Sequence, residues 1–317
     1  MPSRVSRKNL IRPVAATAAG AALGVAAWLG APGAGAAPAA NGPAHFNVSG
    51  GVAALEKLTE RGTGVGGGAL PKSTCTSTGV AVADVQLSCD DAISPEDETP
   101  IVVDPADPNH LLAGSNDYHY VVSGSSLQLR VPTGFFVSFD GGNTWTDGQI
   151  PMGSGSGNGN GDPSPAFNRK FGTAHMAQLN VTCGTGPYCG TASAAVATSR
   201  DGGWTWGNPV VVAQGSGSIT PSPKGVFNDK EWLTADNNPT SPHYGRLYLT
   251  WTRFTPENGL AGGPIYLSTS DDAGKTWTVG KPISGSSPLC TFQNSGPAGV
   301  CDEDQFSTPV VLPDGTV

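Results

Sequence analysis

Short apolar runs, each bounded by glycine, proline, asparagine or aspartate, recur from about residue 96 to the last residue of the chain. Runs of this length, closed by turn-forming residues, are typical of β-strands. The one short helical candidate is Val52–Glu60, so the pattern predicts an all-β fold. The clearest runs are Ile101-Val-Val103, Gly134-Phe-Phe-Val137, Ala194-Ala-Val-Ala197, Leu247-Tyr-Leu249 and Pro264-Ile-Tyr-Leu267.

The predicted strands fall into units of four. Each unit opens with acidic residues and an inner strand, and then has a turn, a second strand, a variable loop, a third strand, a tight turn and a fourth strand. The opening acids Glu98, Asp162 and Asp229 precede the first serine of the tight turn in their units by nearly the same number of positions. Four antiparallel strands in about 60 to 75 residues form one blade of a β-propeller.

The tight turn has the pattern S-x-D-x-G-x-T-W in three places, which begin at Ser138, Ser199 and Ser270. Its aspartate can accept hydrogen bonds from backbone N–H groups of its own turn, and its glycine permits positive φ. The closing tryptophan buries a large ring as the next strand begins. We therefore predict a structural role for the three aspartates, which are Asp140, Asp201 and Asp272.

This pattern resembles the Asp-box, or BNR repeat, of the bacterial sialidase superfamily. The resemblance implies a six-bladed β-propeller, of which residues 96–317 hold about the first three to four blades. The expected blades are 96–160, 161–227 and 228–301, and a further blade starts at 302–317. We expect the chain to be the front part of a longer propeller, because a partial ring leaves open sheet edges.

Residues 1–36 have the features of a secretion signal. A basic start is followed by an apolar stretch, Pro13–Ala31, and by the small-residue cleavage site Ala34-Gly35-Ala36. An uncleaved membrane anchor is the alternative. Residues 37–95 are rich in Gly, Ala and Pro and are predicted to form a linker or collar. The sequence thus predicts a secreted protein that has no membrane segment after cleavage.

Composition and charge support this interpretation. The chain has 45 Gly, 27 Pro and only 13% charged residues, as expected for many short strands and turns. Without residues 1–36, 13 basic residues face 25 acidic ones, a net charge of −12. Such a surface argues against a nucleic-acid partner.

Six cysteines form three local pairs, and an even number in an exported chain favours disulfides. Neighbour pairing is the preferred one of 15 connectivities. A metal site is the alternative, but no C-x-x-C motif occurs and the histidines are scattered. The predicted pairs are Cys75 with Cys89, Cys183 with Cys189, and Cys290 with Cys301.

The propeller topology restricts where chemistry can occur. Inner strands begin at the same face at which the loops after the second strands lie, and the tight turns lie at the opposite face. Ligands in such folds bind in the mouth around the axis. The predicted catalytic residues are Asp162, Asp229 and Glu231, and the predicted substrate-binding residues are Asp117, Tyr118, Trp251, Arg253 and Asp304.

These residue types suit a carbohydrate. Carboxylates serve as general acid or base, aromatic rings stack on sugars, and an arginine binds a carboxylate. The resemblance implies an exo-α-sialidase-like glycoside hydrolase that acts on glycans. The superfamily uses an Arg-Ile/Leu-Pro motif, three substrate-binding arginines, an acid/base aspartate and a Tyr–Glu pair. Arg130-Val-Pro132 is similar to the first of these, but it lies very close to Ser138 in the sequence.

Two alternatives stay open. The first alternative to this hydrolase is a noncatalytic propeller that binds glycan or protein at the cell surface. The second is a hydrolase or lyase for an uncharged polysaccharide, which would need carboxylates but no arginine cluster. No cofactor motif is present. Calcium between clustered aspartates stays open, although no EF-hand loop occurs.

Overall fold

The computed structural model describes residues 73–76, 87–88, 96–123, 126–130, 132–151, 157–183, 189–216, 225–255, 263–285 and 304–317. The predicted signal, most of the predicted linker, the helical candidate Val52–Glu60, and Cys89, Cys290 and Cys301 lie outside these ranges. Regular structure within the described ranges is β throughout, with no helix. The strands are β1 (Ser73–Thr76), β2 (Glu96–Asp97), β3 (Ile101–Asp104), β4 (Asp107–Asp117), β5 (His119–Ser123), β6 (Ser126–Arg130), β7 (Thr133–Ser138), β8 (Thr144–Gln149), β9 (Gly157–Asn168), β10 (Thr173–Cys183), β11 (Cys189–Ser199), β12 (Val210–Ala213), β13 (Phe227–Ala235), β14 (Leu247–Phe254), β15 (Ile265–Ser270) and β16 (Lys281–Pro282).

Three antiparallel sheets follow one another along the chain. In the first sheet, β2 and β3 together form the inner strand, and β4, β7 and β8 follow outwards in chain order. The second sheet runs β9, β10, β11, β12 and the third runs β13, β14, β15, β16. A single parallel bridge between Ala192 and Phe227 links the second and third sheets. The predicted all-β propeller fold, with only part of the ring in this chain, is confirmed; the blade boundaries stay a prediction.

Two short additions decorate the first sheet. Strand β1, from the segment predicted as a linker, pairs with β8 and adds a fifth strand on the outside. Strands β5 and β6 form a hairpin of their own in the loop between β4 and β7. In the second sheet, Cys183 and Cys189 are backbone partners at the end of the β10–β11 pair. Their disulfide stays a prediction.

The core lies between neighbouring sheets. Leu112, Phe135 and Val137 of the first sheet pack against Phe167 and Met176 of the second. A second cluster joins the second and third sheets through Val196, Leu233, Leu247, Leu249 and Trp251. Truncating a fully buried Leu or Met of this kind to Ala typically costs about 2–5 kcal/mol. Each sheet therefore depends on its neighbour for a buried face.

The three eight-residue turns have matching hydrogen bonds. The aspartate Oδ1 accepts the backbone N–H of the threonine of the pattern, at 2.8, 2.8 and 2.9 Å. The closing tryptophan donates its indole N–H to the carbonyl of the glycine of the pattern, at 2.9, 3.0 and 3.1 Å. In the first turn, the backbone and hydroxyl of Thr144 hold the pKa of Asp140 below its ordinary value. The local contacts of the turns thus account for their aspartates.

Candidate functional site

One bulge recurs in the inner strand of every sheet. Two consecutive residues lie opposite a single residue of the second strand, which is Ser115 in β4, Gln178 in β10 and Trp251 in β14. The first residue of each pair has left-handed backbone: φ is 53° at Glu98, 51° at Asp162 and 53° at Lys230. Phe306, in the described segment 304–317 after the third sheet, has φ 63°.

This conformation is normally left to glycine in such bulges. Non-glycine residues in it are strained by about 1–2 kcal/mol, and such strain concentrates at functional sites. Asp229, which the sequence aligned with Glu98 and Asp162, lies one position earlier, and Lys230 takes the equivalent place. The alignment by residue type matched acid to acid, whereas the bulge sets the true register.

The bulges bring together five ionisable side chains, which we call the hub cluster: Glu98, Asp162, Asp229, Lys230 and Glu231. Lys230 Nζ forms ion pairs with Glu98 Oε1 and, at 3.3 Å, with Asp162 Oδ2. Asp162 is also within hydrogen-bonding distance of Glu98 and of Asp229. A hydrogen bond between two carboxyl groups requires a proton on one of them, so the cluster can hold protons at the mouth.

Amide side chains orient this cluster. Asn116 Oδ1 accepts the backbone N–H of Asp162 at 2.7 Å, while its Nδ2 donates to Asp97 Oδ1 at 2.7 Å. Gln305 Nε2 donates to Asp229 Oδ2 at 3.0 Å. The first contact links the first and second sheets, and the last links the third sheet to the segment that follows it.

Burial and crowding perturb the titration of the cluster. Burial raises the pKa of Asp162 and of Asp229, and burial followed by the adjacent Asp162 raises that of Glu98. Burial lowers the pKa of Lys230, but the charges of Asp162, Glu98 and Asp229 outweigh it and raise that pKa overall. The Lys230 ammonium group therefore interacts with three carboxyl groups, all of which have raised pKa values.

Glu231 lies beneath these groups. Glu231 is 2% exposed, and neither of its carboxyl oxygens accepts a hydrogen bond from another residue in the described part of the chain. Burial, and then the charge of Asp162, raises its pKa well above the ordinary value. Because an unpaired charge in such a place is very costly, burial favours the neutral carboxylic acid form of Glu231.

Of the predicted residues Tyr118 and Asp117, only Tyr118 reaches the margin of the site. The Tyr118 hydroxyl donates to Asp97, at 3.2 Å to Oδ2, and burial together with Asp97 raises its pKa to about 12. Asp117 is buried, and its Oδ2 accepts a hydrogen bond from Gln149 of β8 at 2.9 Å. Tyr118 thus lies at the margin of the hub cluster, whereas the Asp117 side chain is directed towards the outer part of the first sheet.

The remaining predicted binding residues are held elsewhere. Trp251 is 1% exposed and donates its indole N–H to Asn228 Oδ1 at 2.9 Å, so no ring face is open to a sugar. The guanidinium carbon of Arg253 lies 5.3 Å from the ring centre of Tyr266, on the third strand of its sheet. Asp304 accepts a hydrogen bond from Ser284 Oγ at 2.8 Å. Among the described residues, no hydrogen bond or ion pair joins the side chains of these three to the side chains of the hub cluster.

The eight-residue turns lie at the other end of the strands. In the first sheet, Leu111 of β4 pairs with Ser138 of the turn, while Asn116 pairs with Asp97 beside the hub cluster. Five residues of extended strand span about 17 Å. The turns and the hub cluster therefore occupy opposite faces.

Three members of the mouth were not among the predicted site residues: Lys230, Phe306, and Glu98, which was named only as an opening acid. The spacing to the following turn could have identified Lys230, because Glu98 and Lys230 precede the serines of their turns, Ser138 and Ser270, by the same number of positions. In the part of the chain that the structure covers, no three His, Cys, Asp or Glu side chains are placed to hold a metal ion. The same part contains no helix long and apolar enough to cross a membrane.

In sequence, the chain is 29% identical over 158 residues to a sialidase from Micromonospora viridifaciens. The match covers 46% of this chain and 23% of that sialidase, so the chain spans less than a quarter of its relative. No family profile matches. The resemblance to sialidases is thereby confirmed at the level of sequence similarity.

Several solved structures are similar in part. A Hadza microbial sialidase gives a TM-score of 0.39 at 20% identity, over 60% of this chain and 38% of that one. An α-L-arabinanase of Penicillium chrysogenum complexed with arabinobiose gives 0.40 at 15% identity, over 59% and 48%. The intramolecular trans-sialidase from Ruminococcus gnavus gives 0.39 at 11% identity, over 60% of each chain. Scores of this size add no argument about function.

Proposed function

We propose that this chain carries the acid/base site of a secreted glycoside hydrolase that acts on glycans. The observation that carries the proposal is the hub cluster, in which carboxyl groups with raised pKa values meet at strained bulges of neighbouring sheets. Glycosidic bond cleavage needs one carboxyl group that is protonated and one that is ionised.

The exposure of the carboxyl groups assigns their roles. The Glu98 side chain is 39% exposed and that of Asp162 is 13% exposed, whereas Glu231 is sealed off. Asp162 donates its proton to the glycosidic oxygen, and that bond breaks. The Asp162 carboxylate then takes a proton from the water that adds to the anomeric carbon, and Glu98, which is ion-paired with Lys230 and lies too close to Asp162 to act as a separate base, stabilises the positive charge that develops on the sugar. Burial, and after it the charge of Asp229, favour the protonated form of Asp162, and burial also favours the neutral form of Glu231 beneath it.

Similarity to a sialidase supports this class of reaction but covers only a part of each chain. The basic start, apolar stretch and small-residue cleavage site within residues 1–36 support export. N-terminal sequencing of protein recovered from the culture medium tests export, since cleavage after Ala36 is the expected result.

The decisive experiment is turnover of a panel of fluorogenic glycosides, including a sialoside and an arabinofuranoside, by the full chain. We expect Asp162→Asn to lower kcat by about 100-fold or more, as the loss of a general acid does, without lowering Tm. Asp107→Asn, at an exposed carboxylate on the far side of β4, is the matched control and should retain full activity. Unchanged kcat in Asp162→Asn would exclude Asp162 from the reaction.

One observation favours a noncatalytic glycan-binding protein instead. Lys230 already binds both Glu98 and Asp162, as it would in an ion network that only joins the sheets. If the whole panel of glycosides is left intact while a glycan array shows binding, this alternative is correct.

A further inference from the structure

We propose that the mouth holds an uncharged sugar residue stacked on the ring of Phe306, and that sugars bearing a carboxylate, such as sialic acid, are rejected. The inference rests on the proposed function, because it names the substrate class of the same site.

Phe306, in the segment that follows the third sheet, has the same left-handed backbone as the bulge residues, with φ 63°. The segment is fixed against that sheet by Ser307 Oγ, which donates to Thr250 Oγ1 at 2.9 Å, and by the backbone N–H of Asp304, which donates to Gly263 at 3.2 Å. The ring centre of Phe306 lies 5.4 Å from Lys230 Nζ, which places it beside the hub cluster.

The backbone and the surroundings of this side chain are unusual for a large apolar residue. Phe306 is 67% exposed although it is a large apolar residue in left-handed backbone, a conformation that few non-glycine residues adopt. Val310 and Leu312 of the same segment are exposed as well, and what distinguishes Phe306 from them is the contact of its ring with Lys230 of the hub cluster. A ring held open at the rim of a polar cluster is the combination found in small-molecule sites, where an apolar surface is joined to a few oriented polar groups.

The chemistry of a neutral sugar matches this surface. The face of a phenyl ring carries partial negative charge and attracts the weakly positive C–H groups of a sugar ring. Glu98 and Asp162 accept hydrogen bonds from hydroxyl groups, and Lys230 donates them. The exposed part of the Phe306 ring, beyond its contact with Lys230, gives the sugar room to stack.

The charge of the mouth disfavours an acidic sugar. Lys230, the one cation of the hub cluster, is already paired with Glu98 and Asp162, so an incoming carboxylate would have to displace one of them and face the other. Arg253 is stacked on Tyr266, and no arginine contacts the hub cluster among the side chains that the structure describes. The negative charges of the sugar carboxylate and of an adjacent Glu98 or Asp162 repel each other strongly where water is partly excluded.

Binding to a glycan array of neutral oligosaccharides and their sialylated counterparts tests the proposal on the full chain. We expect neutral glycans to bind, and Phe306→Ala to raise the Kd of the best of them by about tenfold or more, as the loss of a central aromatic contact does. Phe306→Tyr, which keeps the ring, should restore binding to within about threefold. Stronger binding of the sialylated members, equal binding by Phe306→Ala, or no binding of any neutral glycan would overturn the proposal.

Phe171→Ala is the matched control. Phe171 is also exposed and also lies 5.4 Å from a lysine ammonium, that of Lys170, but it is in the β9–β10 turn on the opposite face. Its replacement should leave the Kd unchanged. Parallel turnover assays separate this proposal from the proposed function. Phe306-dependent binding of neutral glycans without turnover refutes only the hydrolase, whereas turnover of sialosides alone refutes only the neutral substrate.

Discussion

Replacing Glu231 by glutamine should reduce the loss of folding stability that accompanies rising pH. Burial raises the pKa of Glu231 well above its ordinary value of 4.5, so between these two pKa values the folded state binds more protons than the unfolded state. The stability associated with this group is therefore complete below pH 4.5 and is lost as pH rises towards the folded pKa. Glutamine has nearly the same shape and cannot ionise, so this loss disappears in Glu231→Gln.

The size of the expected change in stability follows from the binding of one proton. Within that window, a single carboxyl group removes about 1.4 kcal/mol of unfolding free energy per pH unit. For a domain of this size, this corresponds to about 3–5 °C in Tm per pH unit. Both the neutral acid and the amide are buried without partners from other residues, so their desolvation costs are similar and the two proteins should have similar stability near about pH 4.5.

The assay is thermal unfolding of wild type, Glu231→Gln and Asp107→Asn across about pH 4.5 to 7.5. Asp107 is exposed, so its replacement controls for the loss of one negative charge at the surface. We expect the Tm of Glu231→Gln to rise relative to wild type as pH increases, and that of Asp107→Asn to follow wild type. Parallel profiles for wild type and Glu231→Gln would show that Glu231 is not a buried neutral acid.

Three further substitutions test a buried histidine, backbone strain in a turn and packing between the sheets. Burial lowers the pKa of His175 to about 3, so the unfolding free energy of wild type should fall by about 1.4 kcal/mol per pH unit as pH drops below about 6.5. His175→Leu, which introduces the residue type of the equivalent Leu112, should remove this fall when unfolding by urea is measured across pH. Equal dependence of the unfolding free energy on pH in the two proteins would contradict the prediction. Ala273 has φ 59° where the other two turns have glycine, so Ala273→Gly should raise the unfolding free energy by about 1 kcal/mol, and a lower Tm would contradict the strain. Conversely, Gly202→Ala should destabilise by about 1–3 kcal/mol, because its Cβ would lie 2.8 Å from the His110 ring.

Strands and turns could be predicted because their causes are local. The apolar runs around Phe135, Val196 and Leu249 alternate with turn-forming residues, and each eight-residue turn contains the donors and acceptors that it needs. Asp140, Asp201 and Asp272 could therefore be assigned to their turns without knowledge of the neighbouring sheets. The order of strands within each sheet followed as well, since antiparallel neighbours are joined by short connections.

The site depended on contacts between residues that are far apart in sequence. Whether Asp229 or Lys230 takes the position equivalent to Glu98 and Asp162 is decided by a bulge, whose register exists only when β13 is paired with β14. Likewise Trp251 and Glu231 have residue types suited to a mouth, yet packing against adjacent strands buries both. Sequence alone thus determined the repeating sheet and the face at which acids gather. Only the tertiary structure decided which side chains reach that face, because burial and bulge register are properties of neighbouring strands together.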